Sequence, residues 1–237
     1  MSEYQRARTP EHKQERMEAI MAAGDALFAR LPYHEITMGT IAEELGWSRS
    51  NLYKYAATKE EIFLELHEAK NRGWLEELAD TLTAAMSAAD GAGEGDGNSD
   101  DAATEGSALT PLPAGNFARI WAEVTDRHGD FLRYQEILFS IIESNVTLER
   151  LTEFKRSWAA TVGPICAILA AQCNITADEA LNLFLRLLFQ APPLRAHFHC
   201  ADLTREAMRL AGLPPITGTF AHAYAGYTEV CLRAAMK

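Results

Sequence analysis

Apolar residues return every three or four positions along most of this chain. No segment of useful length alternates with the period of two that a half-buried strand needs. Met17, Ile20, Gly24, Leu27, Phe28 and Leu31 form one such stripe. It predicts a first helix from Pro10 to Leu31, with Thr9 as N-cap and Pro10 where a missing N–H costs nothing. Pro32 ends the pattern. Two short helices are expected next, Met38–Leu45 capped by Thr37 and Arg49–Tyr55 capped by Ser48, with Gly46 and Trp47 between them. Thr58 and Glu61 make a capping box that opens a fourth helix, whose stripe through Ile62, Leu66, Leu75, Leu78 and Leu82 carries it past residue 80.

From Ala88 to Gly115 the periodicity stops. The segment is rich in Gly, Asp, Ser and Ala, has no aromatic residue, and cannot bury enough surface to offset its ordering entropy. It reads as a flexible acidic loop. Helical patterning then resumes over Phe117–His128, Phe131–Ser144, Leu148–Cys173 with a kink at Gly163-Pro164, Thr176–Gln190 ended by Pro192-Pro193, a short helix from Asp202, and Thr219–Met236. The pattern predicts an all-α chain in four parts. These are an N-terminal arm and helix-turn-helix domain over 1–57, a connecting helix over 58–87, the loop over 88–116, and a C-terminal helical domain over 117–237.

The corner "TMGTIAEELGWSRSNLYKY", Thr37 to Tyr55, carries the chemistry. Ile41, Ala42, Leu45, Trp47, Leu52 and Tyr55 supply its inner face, and Gly46 falls where a chain leaving a helix favours positive φ. Helices this short cannot stand alone, so they must pack across each other as a helix-turn-helix. The outer face of the second is Arg49, Ser50, Asn51, Tyr53 and Lys54, all donors and none acidic. That set suits a DNA major groove: Arg49 can pair with guanine, Asn51 with adenine, and Ser50 allows close approach. Tyr53, Lys54, Lys59 and the chain near Thr37 are placed to hold phosphates, with Thr40, Ser48 and Tyr55 completing the candidate surface. Arg6 and Arg8 form a basic arm ahead of the first helix.

The 237 residues carry a net charge of -11, which argues against a nucleic-acid partner until its distribution is read. Residues 1–60 hold 8 Lys and Arg against 9 Asp and Glu, and the rest holds 14 against 24, so the acidity lies beyond the corner. At 48% hydrophobic and 23% charged, the chain has the composition of a globular protein. No apolar run reaches the ~18 residues of a membrane span, and the polar start lacks a signal-peptide core, so a cytoplasmic location and no membrane partner are expected. The four cysteines show no CxxC spacing and read as reduced core thiols.

The segment "ITMGTIAEELGWSRSNLYKYAATKEEIFLEL" closely resembles the DNA-binding domain of the TetR family of transcriptional regulators. The likeness rests on Thr37, Ile41-Ala42, Gly46, Ser48, Leu52-Tyr53, Tyr55, Lys59-Glu60 and Ile62, and covers about residues 10–70. The chain departs from the family pattern at Ala56, where an aromatic is usual, and at Trp47, where a valine-like residue is usual. A larger Trp47 refilling the same small core is the expectation. The resemblance implies a ligand-responsive repressor, a homodimer on a palindromic operator, released by an unidentified small-molecule effector. It implies dimer contacts through about 176–190 and 219–236, and a pocket whose aromatic candidates are Trp121, Tyr134, Phe139, Phe154 and Trp158. No cofactor, metal or enzymatic activity is expected, since no phosphate loop, HExxH or GxSxG occurs. Alternatives are an interaction adaptor with a head that does not bind DNA, a helical enzyme, metal sensing at His197, His199, Cys200 and Asp202, and redox sensing at Cys166 and Cys173.

Overall fold

A computed structural model describes residues 10–91 and 109–236. Thr9, Arg6, Arg8 and most of the acidic loop lie outside the described residues. Ten α-helices occur among them: α1 (Pro10–Arg30), α2 (Met38–Glu44), α3 (Arg49–Leu52), α4 (Lys59–Gly91), α5 (Ala114–Arg127), α6 (Gly129–Ile137), α7 (Leu148–Cys173), α8 (Ala177–Phe198), α9 (Asp202–Leu210) and α10 (Phe220–Ala235). No strand is present among the described residues, and no single helix among them is long and apolar enough to cross a membrane.

Three elements differ from the sequence pattern. The helix expected over 131–144 stops at Ile137 and continues as a π-helical turn, Leu138–Ile142, and a 3₁₀ turn, Glu143–Asn145. The wider turn keeps Leu138 and Ile142 in the core and turns Phe139 and Ser140 outward. Pro192-Pro193 does not end α8, which runs on to Phe198. Two amide donors are lost there, but Ala191 and Pro192 are buried, and packing holds the segment helical. Residues 88–91, expected in the loop, extend α4.

The described residues form two compact units, drawn differently from the sequence expectation. Those up to Lys70 pack with Tyr134–Trp158, and Asn71–Arg133 pack with the residues from Ala159 onward. The stretch 134–158, expected in the C-terminal domain, is thus part of the first unit. The reason is apolar: Tyr134, Leu138, Ile142 and Phe154 are buried in one core with Ile20, Phe28, Ile41, Leu52, Ile62 and Phe63. The Tyr134 ring lies 4.9 Å from Phe28 and 5.7 Å from Phe63, centroid to centroid, and its hydroxyl donates to Asp25 at 2.7 Å. Lys70 and Arg150 add ion pairs to Asp25 (2.8 Å) and Glu65 (2.6 Å), and the Ser157 hydroxyl donates to Glu68.

The second unit is built on Trp74, Trp121, Phe131, Phe184 and Tyr224. Their polar atoms are satisfied in series. Trp74 Nε1 donates to Thr125 Oγ1, which donates to the Trp121 carbonyl; Trp121 Nε1 donates to Tyr224 Oη, which donates to the Leu187 carbonyl. A buried indole N–H left unbonded would cost about 1–3 kcal/mol, so the series lets large amphipathic rings fill the core. Gln172 closes the entry to α5 by pairing with both backbone groups of Leu112, at 2.9 and 2.7 Å.

In the first unit His67 is fully buried, and its Nε2 donates to Gln135 Oε1 at 2.8 Å. Burial lowers its pKa to about 4, aided by the charge of Lys155 and opposed by the Gln135 bond. Below pH 6.5 the unfolded chain takes up a proton here that the folded chain refuses. Stability should therefore fall as pH drops from about 6.5 to about 4, by roughly 3 kcal/mol. Urea titrations across that window should show the slope, and His67→Gln should flatten it whatever its effect on stability at pH 7.

Candidate nucleic-acid interface

The corner between α1 and α4 is fixed by local hydrogen bonds at every junction. Thr37 opens α2 with a reciprocal box: its Oγ1 accepts from Thr40 N at 3.1 Å and its own N–H donates to Thr40 Oγ1 at 2.9 Å. Gly46, at φ +66°, closes α2. Trp47 N donates to Ala42 O at 2.8 Å and Gly46 N to Glu43 O at 3.0 Å, the paired bonds of a Schellman ending. Ser48 Oγ accepts from Asn51 N at 3.3 Å and starts α3. Thr58 caps α4, and Glu61 reaches back to the N–H of Ala57 at 2.7 Å.

The reading segment is shorter than expected. Regular α geometry ends at Leu52 instead of Tyr55. Beyond it, Lys54 N donates to Asn51 O and Tyr55 N to Leu52 O, so the chain tightens into i to i−3 bonds. Leu52 (0% exposed) and Ala56 (5%) anchor the turn.

The candidate residues fall into three groups. Arg49, Ser50 and Lys54 are exposed, Tyr53 is 54% exposed, and Asn51 is half-buried beside them, which makes one outward face of donors. Thr37, Arg49, Tyr53 and Lys59 come together on one cleft of about 490 Å³. Thr40, Ser48 and Tyr55 are structural in position. The first two are engaged in capping, and the Tyr55 ring packs on Trp47 with centroids 5.9 Å apart.

Lys59 is tied inward as well. Its ammonium donates to the carbonyls of Tyr33 (3.0 Å) and Ile36 (2.6 Å) and sits 4.0 Å from the centre of the Tyr33 ring. Burial lowers its pKa, and attraction to Glu60 opposes the shift. Lys59 thereby holds the short 3₁₀ turn Tyr33–Glu35 and aims the chain into Thr37. Glu60 accepts from the Tyr33 hydroxyl at 2.9 Å; burial, with Glu60 beside it, raises that phenol's pKa.

Gly39, to which the sequence pattern gave no role, lies buried beneath the Arg49 side chain. A Cβ there would stand 2.5 Å from Arg49 Nη2 and 2.9 Å from Cζ. The signal was a glycine in a short helix, which costs about 1 kcal/mol against alanine unless something needs the space.

The five aromatic residues expected to line a pocket are divided between the two units. Trp121 is buried in the second unit's core; Tyr134 and Phe154 are buried in the first unit's core, and Trp158 packs against it. Phe139 is 48% exposed, with Lys155 Nζ 5.4 Å from its ring centre. Cys166 and Cys173 are held as thiols, since burial raises both, Cys173 to about 11. No group of three or more His, Cys, Asp or Glu among the described residues could hold a metal ion, so His197, His199, Cys200 and Asp202 form no such site.

Family models match most of this chain. Residues 20–66 match the family model for bacterial regulatory proteins of the tetR family, and residues 68–235 match that of the tetracyclin repressor-like C-terminal domain. The uncharacterized HTH-type transcriptional regulator YfiR of Bacillus subtilis (strain 168) is 37% identical over 60 residues, a match spanning 25% of this chain and 29% of that protein. A crystal structure described as a TetR-family transcriptional regulator of Mesorhizobium loti MAFF303099 aligns over 96% of each chain at 13% identity, with a TM-score of 0.45.

Trp47 is half-buried against the first unit's core, beneath the Arg16 guanidinium at 5.0 Å, while Ala56 occupies that core directly. Ala56→Phe alone should overpack it and cost about 1–3 kcal/mol. Adding Trp47→Val should recover most of that loss, measured by urea unfolding of the single and double variants.

Proposed function

We propose that this chain, which belongs to the TetR family of bacterial transcriptional regulators, represses transcription by holding an inverted-repeat operator as a homodimer until a small molecule binds its second unit. The observation that carries the DNA-binding part is the outward face of α3. Arg49, Ser50, Asn51, Tyr53 and Lys54 present donors with no carboxylate among them, on a corner capped at both ends. A helix of this kind enters the major groove by its N-terminal residues, so Ser50 and Asn51 approach base edges, Asn51 through a bidentate amide pair to adenine. Tyr53, Lys54 and the chain at Thr37 meet the backbone on either side. The acidity of the rest of the chain does not oppose this, because charges more than ~8–10 Å from a phosphate are largely screened at physiological salt.

Exposed apolar side chains support the homodimer. Leu181 (36%), Phe189 (49%) and Val230 (66%) stand on the outward faces of α8 and α10, and the same patch on a second copy would cover them by two-fold symmetry. Two heads so related read half-sites about one helical turn apart.

Selection from random duplexes should enrich a palindrome. Its affinity in a mobility-shift assay should fall about a hundredfold from 50 to 200 mM salt if some four phosphates are neutralised. Failure to enrich any sequence would refute the repressor reading. The double variant Leu181→Glu, Val230→Glu should sediment as a monomer and lose operator affinity while keeping its helical circular dichroism.

A further inference from the structure

We infer that Gly39 is the positioning residue for Arg49, and that it commits this guanidinium to a DNA phosphate rather than to a base. The inference rests on the DNA-binding reading above.

Arg49 is the first residue of α3, yet its head does not extend along that helix. It lies back over α2, against the bare Cα of Gly39, where a Cβ would come within 2.5 Å of Nη2 and 2.9 Å of both Cζ and Nε. The side chain covers Gly39 from solvent while Arg49 as a residue remains exposed. Among the described residues no carboxylate pairs with Arg49. It is therefore seated by shape, and the fork of donors that suits a phosphate stays available. The seat is on the cleft that Thr37, Tyr53, Lys59 and Glu60 also line, with Glu60 engaged by the Tyr33 hydroxyl, and it is the side of the corner to which the proposed function assigns the backbone contacts. A base reader would need its length to span from the helix surface to the groove floor, and Arg49 spends that length crossing α2.

The three nearest atoms that a methyl group at position 39 would meet all belong to the far end of the flexible Arg49 side chain, so Arg49 is what must give way. Alanine is also the better helix former, and Gly39→Ala should melt at or above the wild-type temperature. The experiment is a double-mutant cycle on the full chain, using the selected operator, with affinity measured at several salt concentrations and base preference by selection. Arg49→Ala should weaken binding roughly tenfold for every sequence and lower the salt slope by about two, one phosphate for each head of the homodimer, without relaxing preference at any position. Gly39→Ala should do the same, and the double variant should bind no more weakly than Arg49→Ala alone. With Arg49→Lys, whose slim ammonium passes the new methyl, Gly39→Ala should cost less than it does beside arginine.

Additive losses in the cycle, or wild-type affinity in Gly39→Ala, would overturn the inference while leaving the DNA-binding reading intact. Relaxed preference at a single base pair in Arg49→Ala would overturn the phosphate assignment. A wild-type chain that enriches no DNA removes the DNA-binding reading itself, and this inference with it.

Discussion

A seven-residue helix and a four-residue helix cannot hold their shape in water, because nucleation costs more than so few backbone bonds return. Everything the corner presents outward depends on what it buries inward. Ile41, Ala42, Leu52 and Ala56 are almost wholly withdrawn from solvent into a core that also contains Phe28, Phe63 and Tyr134. The caps at Thr37, Ser48 and Thr58 and the Schellman ending at Gly46 then decide where each short helix starts and stops. Burial supplies the stability, and the caps supply the register.

The second unit solves a different problem. It must pack large rings that carry polar atoms, and it does so by handing each buried donor to the next acceptor, from Trp74 through Thr125 and Trp121 to Tyr224 and Leu187. Such a series ties α4, α5, α8 and α10 to one another with directional bonds as well as apolar area. Lys59 plays a comparable part in the first unit. The residue type suggests a phosphate ligand, but its ammonium is occupied on two main-chain carbonyls and one aromatic face.

Helix positions and the corner were legible because their signals are local. Periodicity, capping pairs and a glycine after a helix are all read within a few residues, and Thr37, Gly46, Ser48 and Thr58 act as their sequence context implies. Misread features depended on partners far away in sequence. Pro192-Pro193 reads as a stop unless the burial of Ala191 is known. The π turn at Leu138–Ile142 follows from which side chains the core accepts, and the grouping of 134–158 with the first unit follows from contacts of Tyr134 with Phe28 and Asp25, more than a hundred residues apart. Aromatic residues between Phe117 and Cys173 were similarly ambiguous, because a ring that fills a core and a ring that lines a cavity have the same spacing.

The seat of Arg49 on Gly39 also bears on the entropy of association. A free arginine side chain samples many rotamers, and about 2 kcal/mol of that freedom is at stake when it is fixed. Here the guanidinium is confined before any nucleic acid arrives, so part of that loss falls on folding instead of on recognition. The missing methyl of one glycine thus shifts an ordering cost from the encounter to the folded state, where a large core can absorb it.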